Sequence, residues 1–186
     1  MSNRLLPRFS HVTFLHGKGE LPDGPVAHLE AILALAYPEV TFARPLIPDL
    51  PTDEAGEWVM RYGPNLKPKS LLVGMGRGGL LACALRGIFP VLDLYVFAVN
   101  APTKENSLAA QSTGVGFENR VCALYSSAYP PIKGRCEWAA VSPLAFDVPW
   151  LTQGVDSYYP ISYLIASYLR GQDMRKEVSM LFPATV

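Results

Sequence analysis

Between Leu71 and Leu81 the chain reads Leu-Leu-Val-Gly-Met-Gly-Arg-Gly-Gly-Leu-Leu, with four glycines in six positions between two apolar runs. An apolar run that stops at glycine and resumes at helical spacing predicts a buried strand, a sharp turn and a helix. Glycine serves such a turn in two ways, by tolerating positive φ and by carrying no Cβ where neighbouring backbone crowds. Gly74 and Gly78 flank Gly76, and Gly79 lies just beyond. The flanking glycines read as a steric requirement, and Gly76 reads as the apex.

The rest of the chain supplies strands and helices to go with that turn. Short runs rich in β-branched and aromatic residues occur at 11–15, 40–43, 70–73, 94–99, 121–125 and 138–141, which predicts about six strands. Helical patterns fill positions 25–36, where Val26, Leu29, Ile32, Leu33 and Ala36 share a face, and 54–62, where Trp58, Val59 and Tyr62 do. Two more helices are predicted at 79–88 and 161–169. Strands without polar alternation, separated by helices, predict an α/β fold: a three-layer α/β/α sandwich with a mostly parallel sheet. Ligand sites in such sheets lie at the carboxyl ends of the strands. The segments 16–24, 74–79, 100–118, 126–136 and 142–160 are therefore expected to form one rim.

With 186 residues, 49% of them hydrophobic, the chain suffices for one core, and a single domain over 1–186 is expected, with ends fraying at 1–8 and 172–186. Sixteen basic and sixteen acidic residues balance, without a run of like charges, so neither nucleic acid nor another polyanion is an expected partner. The cysteines at 83, 122 and 136 and the histidines at 11, 16 and 28 lack metal-ligand spacing, so no metal and no cofactor is expected. The apolar stretch 80–101 contains Arg86, Gly87, Pro90 and Asp93, which speaks against a membrane span. With no signal-like apolar segment at the start, a cytoplasmic location is expected.

Two motifs compete for the glycine turn. Gly74, Gly76 and Gly79 satisfy the dinucleotide pattern G-x-G-x-x-G, whose glycines let a pyrophosphate approach a helix N-terminus. That pattern normally opens its fold and needs an acidic residue about 20 positions on for the ribose. Here it follows two strand–helix units, and Val99 and Asn100 occupy the acidic position. A dinucleotide-binding protein is thus the weaker reading.

The same turn, taken with two loops, resembles the α/β-hydrolase superfamily over roughly residues 10–171. In the G-x-S-x-G elbow of that superfamily the nucleophile stands at the apex and the amide after it helps form the oxyanion hole; here the apex is Gly76. Phe14-Leu15-His16-Gly17 resembles the loop after an early strand that supplies the other oxyanion amide, and Pro45-Leu46-Ile47-Pro48-Asp49 resembles the proline- and aspartate-bearing loop that follows. The resemblance implies an acid after a late strand, where this chain has Tyr129, and a base before the last helix, where it has Ser157. No histidine follows His28. Because a serine hydroxyl needs a base and the base needs an orienting partner, the resemblance implies a small, single-domain pseudo-hydrolase with degenerate triad positions at Gly76, Tyr129 and Ser157.

Subtracting catalysis leaves a binding or interaction module. Arg77 lies in the first turn of the helix after the elbow, where free N–H groups and the helix dipole favour an anion. With His16, Gly17, Gly76, Tyr129, Ser157 and Tyr158 it frames a candidate site for a small anionic or ester-like ligand. The tyrosines and tryptophans of 125–159 suit a protein partner or a homodimer equally well, and 142–160 is where a lid or partner surface is expected. The enzyme alternative is an esterase- or thioesterase-type hydrolase built on Ser126, Ser127 or Cys136 with His16.

Overall fold

The computed structural model describes residues 7–49, 52–101, 120–126, 144–148 and 157–183. Among them the strands are β1 (His11–Leu15), β2 (Thr41–Ala43), β3 (Leu71–Met75), β4 (Tyr95–Val99), β5 (Val121–Tyr125) and β6 (Leu144–Asp147). The helices are α1 (Pro25–Ala36), α2 (Thr52–Tyr62), α3 (Arg77–Ile88), α4 (Tyr158–Leu169) and α5 (Met174–Leu181). The strands form one sheet in the order β2-β1-β3-β4-β5-β6, and every neighbouring pair is parallel.

Alternation along the strands divides the interior into two cores. Val12, Phe14, Leu71, Val73, Phe97, Val99, Cys122 and Leu124 point to one face, where α1 contributes Val26, Leu29 and Leu33 and α4 contributes Ile161, Leu164, Ile165 and Tyr168. Leu15, Leu72, Val96, Ala98, Val121 and Ala123 point to the other, against Trp58 and Val59 of α2 and Leu81, Ala84 and Leu85 of α3. A sheet covered on both faces needs strands that are apolar on both faces, and the composition of β3, β4 and β5 meets that need. Helix α3 is buried over Gly78–Leu85, so it is apolar nearly all round, as a central helix must be.

Strands β1 and β5 and helix α1 coincide with the expected spans, and the other shared elements differ by a few residues at their ends. Two differences are larger. A strand pairs with β5 at Leu144–Asp147, inside the segment 142–160 expected to form a loop at the rim. Leu144 and Phe146 alternate onto the first core, and Pro143 and Pro149 bracket the strand in sequence. The strand expected at 138–141 lies outside the described residues.

The carboxyl-terminal stretch expected to fray from 172 instead contains α5. The Asp173 carboxylate accepts the Arg175 N–H at 3.0 Å as its N-cap, and Met174 and Val178 are buried in the first core. A cap of this kind contributes about 1 kcal/mol, and full burial of each apolar side chain about 1.5–3 kcal/mol. At the other end, the Arg8 N–H donates to the Leu169 carbonyl at 2.7 Å, so position 8 is tied to α4; residues 1–6 lie outside the described set. No helix among the described residues is long and apolar enough to cross a membrane.

Candidate functional site

The strand order reverses between β1 and β3. The chain leaves β1 for α1 on one face and β3 for α3 on the other, which opens a crevice between the loops at their carboxyl ends, the place where open α/β sheets take ligands. The segments that border it are 16–24 and 74–79.

The turn after β3 is built by its glycines. Gly76 has φ 50° and ψ −122°, outside the left-handed helical well and strained for any residue with a Cβ. Its N–H donates to the Val99 carbonyl at 2.8 Å, and its carbonyl accepts the Gly79 N–H at 3.0 Å. A Cβ at Gly74 would overlap the backbone of Gly78 and Gly79, and one at Gly78 would overlap the Leu15 carbonyl. The flanking glycines are therefore what allows α3 to start against β1 and β3. A Cβ at Gly76, by contrast, would meet nothing nearer than the Gly17 Cα at 4.0 Å. Among the described residues, the apex therefore faces the Gly17 backbone of the loop after β1 without a clash.

Register explains that approach. Leu15 pairs with Gly74 and Met75 with Val99, so carrying the register past the paired positions sets Gly17, Gly76 and Asn100 in a row across three adjacent strands, spaced about 4.8 Å apart as neighbouring strands are. Beside that row, the first residues after β1, β4 and β5 are His16, Asn100 and Ser126. All three are polar and buried.

His16 is 2% exposed. The Ile47 N–H donates to its Nε2 at 2.9 Å, which leaves Nδ1 to carry the proton and donate to the Gly17 carbonyl at 3.0 Å. With both nitrogens engaged by backbone, the ring fastens the loop after β1 to the loop after β2, and it is not placed to act as the base of the enzyme alternative. Arg44 adds a second brace, donating to Glu30 at 2.6 Å and to the Pro22 carbonyl. The Gly17 N–H donates to the Glu20 carboxylate at 2.8 Å, so an amide of this loop already holds a carboxylate.

Arg77, expected to be either an anion ligand or a solvated charge, is only 11% exposed and lies 3.7 Å from the Asp49 carboxylate, which is 63% exposed. No acidic residue occupies the first turn of α3, so the Arg77 guanidinium adds to the partial positive charge of that helix end.

The other expected site residues are more scattered. Ser157 is buried at the N-cap of α4. Tyr158 stacks on His28 of α1, rings 5.6 Å apart, and so joins two helices on the outer layer of the first core. Tyr129, Ser127 and Cys136 lie outside the described residues. Cys83 and Cys122 are buried, and burial pushes the Cys122 thiol far up from its ordinary range, which suits a core residue and not a nucleophile. Among the described residues no group of three or more His, Cys, Asp or Glu side chains could hold a metal ion.

Two residues were placed on the expected rim by the sequence but not singled out as site residues, Glu20 and Asn100. Asn100 has φ 49°, is 5% exposed, and its buried Oδ1 has no hydrogen-bond partner among the described residues. The usable signal was an asparagine at the end of a buried apolar run, since asparagine tolerates left-handed backbone better than most residues.

No family model matches the sequence, and no curated protein matches it. Among solved structures the chain is similar to the ydeN gene product of B. subtilis, with a TM-score of 0.50 and 12% identity over 66% of this chain and 74% of that one. It is also similar to an acetylxylan esterase, with a TM-score of 0.41 and 16% identity over 92% of this chain and 98% of that one. The six-stranded parallel sheet with helices on both faces makes the architecture α/β, and the likeness to the ydeN gene product is a likeness of fold.

Proposed function

We propose that this chain is a hydrolase-fold binding protein without a working triad, which takes a small acidic or ester-like ligand in the crevice between the loops after β1 and β3. The observation that carries the reading is the apex itself. The positive-φ turn at Gly76 is held by close packing at Gly74 and Gly78 and faces Gly17, but it presents no side chain there. A turn kept in that form without a nucleophile still offers the amides of a helix N-terminus to a negative group. Arg77 stands beside it, 3.7 Å from the exposed Asp49 carboxylate, and adds a positive charge to that helix end.

What supports the absence of a triad is that, among the described residues, no histidine is placed to serve this apex as a base. His16 spends both ring nitrogens on backbone, and the sequence has no histidine after His28. Serine at position 76 would fit sterically, and it would still lack a base to take its proton.

The test pairs two measurements. Wild-type protein and Gly76→Ser are mixed with a generic p-nitrophenyl ester, and neither is expected to give a burst of acylation. Phosphate and acetate, titrated at constant ionic strength against chloride, are expected to raise the melting temperature of the wild type saturably, with a smaller rise in Arg77→Gln. A burst, or turnover that a serine- or cysteine-reactive probe abolishes at one residue, overturns the reading in favour of a hydrolase with another constellation. Saturable stabilisation by a dinucleotide, and not by simple acids, overturns it in favour of nucleotide binding through Gly74, Gly76 and Gly79.

A further inference from the structure

Asn100 carries two unfavourable features at once. A side-chain-bearing residue at φ 49° is strained, and a buried carbonyl oxygen without a donor has lost its hydration without replacement. Either feature alone could be an accident of packing. Their coincidence falls on a residue whose backbone, with the register carried one step on, lies one strand over from the apex Gly76 and two from Gly17. The backbone is firmly set there: the Asn100 N–H donates to the Leu124 carbonyl at 2.8 Å, and Ala98 and Ala101, on either side of it, pack against Gly79 of α3.

We propose that Asn100 is the specificity-determining residue of the crevice, and that its Oδ1 accepts a hydrogen bond from a hydroxyl of the ligand. The inference rests on the acid-binding reading above and narrows it: the ligand is a small hydroxylated acid, carrying a carboxylate or phosphate for the end of α3 and a hydroxyl one strand spacing away, about 5 Å. Position 100 also lies at the end of the strand following the glycine turn, where a sugar hydroxyl is bound in nucleotide folds. The shared demand is a hydroxyl donor beside an acidic group, whichever acid supplies the charge.

The experiment compares acids that differ only by a hydroxyl: lactate with propionate, and glycerol 3-phosphate with propyl phosphate, by thermal shift and by NMR titration. Wild-type protein is expected to bind the hydroxylated member of at least one pair about tenfold more tightly, the worth of one buried hydrogen bond, and the better pair identifies the acid. Asn100→Gly removes the acceptor and accommodates positive φ. It is expected to erase the preference while melting at or above the wild-type temperature without ligand. Asn100→Asp, which keeps an acceptor, is expected to retain the preference with weaker overall binding because of its charge.

Equal affinities within both pairs, as a water on Oδ1 would give, overturn the inference and leave acid binding standing. A preference that survives in Asn100→Gly overturns it as well. A lower melting temperature for Asn100→Gly assigns the residue a structural role and overturns it too. If none of the four acids binds, the acid-binding reading falls and this inference falls with it.

Discussion

The two edges of the sheet treat the same kind of strain differently. At the amino edge, Lys69 and Asp93 also have left-handed backbone, at φ 57° and 53°, but each is built into a satisfied network. The Lys69 N–H donates to the Leu92 carbonyl at 2.8 Å, and Asp93 pairs with Arg120. The guanidinium groups of Arg8 and Arg120 both lie 5.4 Å from the ring of Tyr95, and Arg86 donates to the Leu94 carbonyl at 2.7 Å. At the carboxyl edge, Asn100 at φ 49° keeps a buried oxygen without a hydrogen-bond partner among the described residues, beside a glycine apex at φ 50° that carries no side chain. Strain that is compensated locally seals a structure, whereas strain left uncompensated beside a crevice marks the place where something else is expected to complete it.

The largest expected effect separates two glycines of the same turn. At Gly78 an added Cβ overlaps the Leu15 carbonyl, and at Gly76 it faces the Gly17 backbone without a clash. Gly78→Ala should therefore lose about 4 kcal/mol or fail to fold, because backbone cannot yield as a flexible side chain can. Gly76→Ala should lose only the conformational term, about 1–2 kcal/mol. Urea denaturation of both variants measures the gap. Equal losses would mean that the apex is packed like its flanks, and the contrast between the edges would weaken.

Next in size is the sealed side's sensitivity to alkali. Burial pushes the Cys122 thiol and the Tyr168 hydroxyl far up, so in the folded chain both keep their protons above the pH at which the unfolded chain releases them. The unfolded state then binds fewer protons than the native state, and stability falls with rising pH. The loss begins near pH 9 for the thiol and pH 10 for the phenol, the ordinary values of these groups. Each group contributes about 1.4 kcal/mol per pH unit beyond its ordinary value, so between pH 8 and pH 11 the two together should remove about 4 kcal/mol. Cys122→Ala should flatten the part of the curve that begins near pH 9. A flat profile to pH 11 would show that this core admits hydroxide or water.

How legible each edge was in the sequence follows from the range of the interactions that build it. Helix α1 and strands β1 and β5 were visible because apolar period and turn residues are local signals. The steric need for Gly74 and Gly78 was legible too, since few turns other than this one demand glycines at that spacing. Strand β6 was missed because five residues between prolines resemble a loop until β5 offers a ladder to pair with. Helix α5 was missed because its stability depends on Met174 and Val178 reaching a core formed much earlier in the chain. Gly76, Gly17 and His16 were singled out through motif and order, and the structure sets Gly17 opposite Gly76. What His16 does was not legible, since its partner Ile47 lies on the loop after the next strand. Asn100 and Glu20 required register and a turn, neither of which a single sequence displays.

The smallest expected effect sharpens the comparison most, because it uses a carboxylate at each edge. Glu20 accepts the Gly17 N–H at 2.8 Å, and a Cβ at Gly17 would lie 3.0 Å from its carboxyl group, so its charge lies over the residue that faces the apex. An acid entering the crevice must approach that charge. Glu20→Gln keeps an acceptor for the Gly17 amide and removes the charge, so phosphate should bind about threefold more tightly at low ionic strength. The gain should shrink toward nothing near 1 M salt, where the Debye length falls to about 3 Å. Asp93→Asn removes a charge of the same sign at the far edge and should leave phosphate affinity unchanged. If both variants bind phosphate alike, the effect belongs to the net charge of the molecule; if only Glu20→Gln gains, an internal carboxylate at the mouth of the crevice competes with the ligand, and the open edge is partly closed by its own chain.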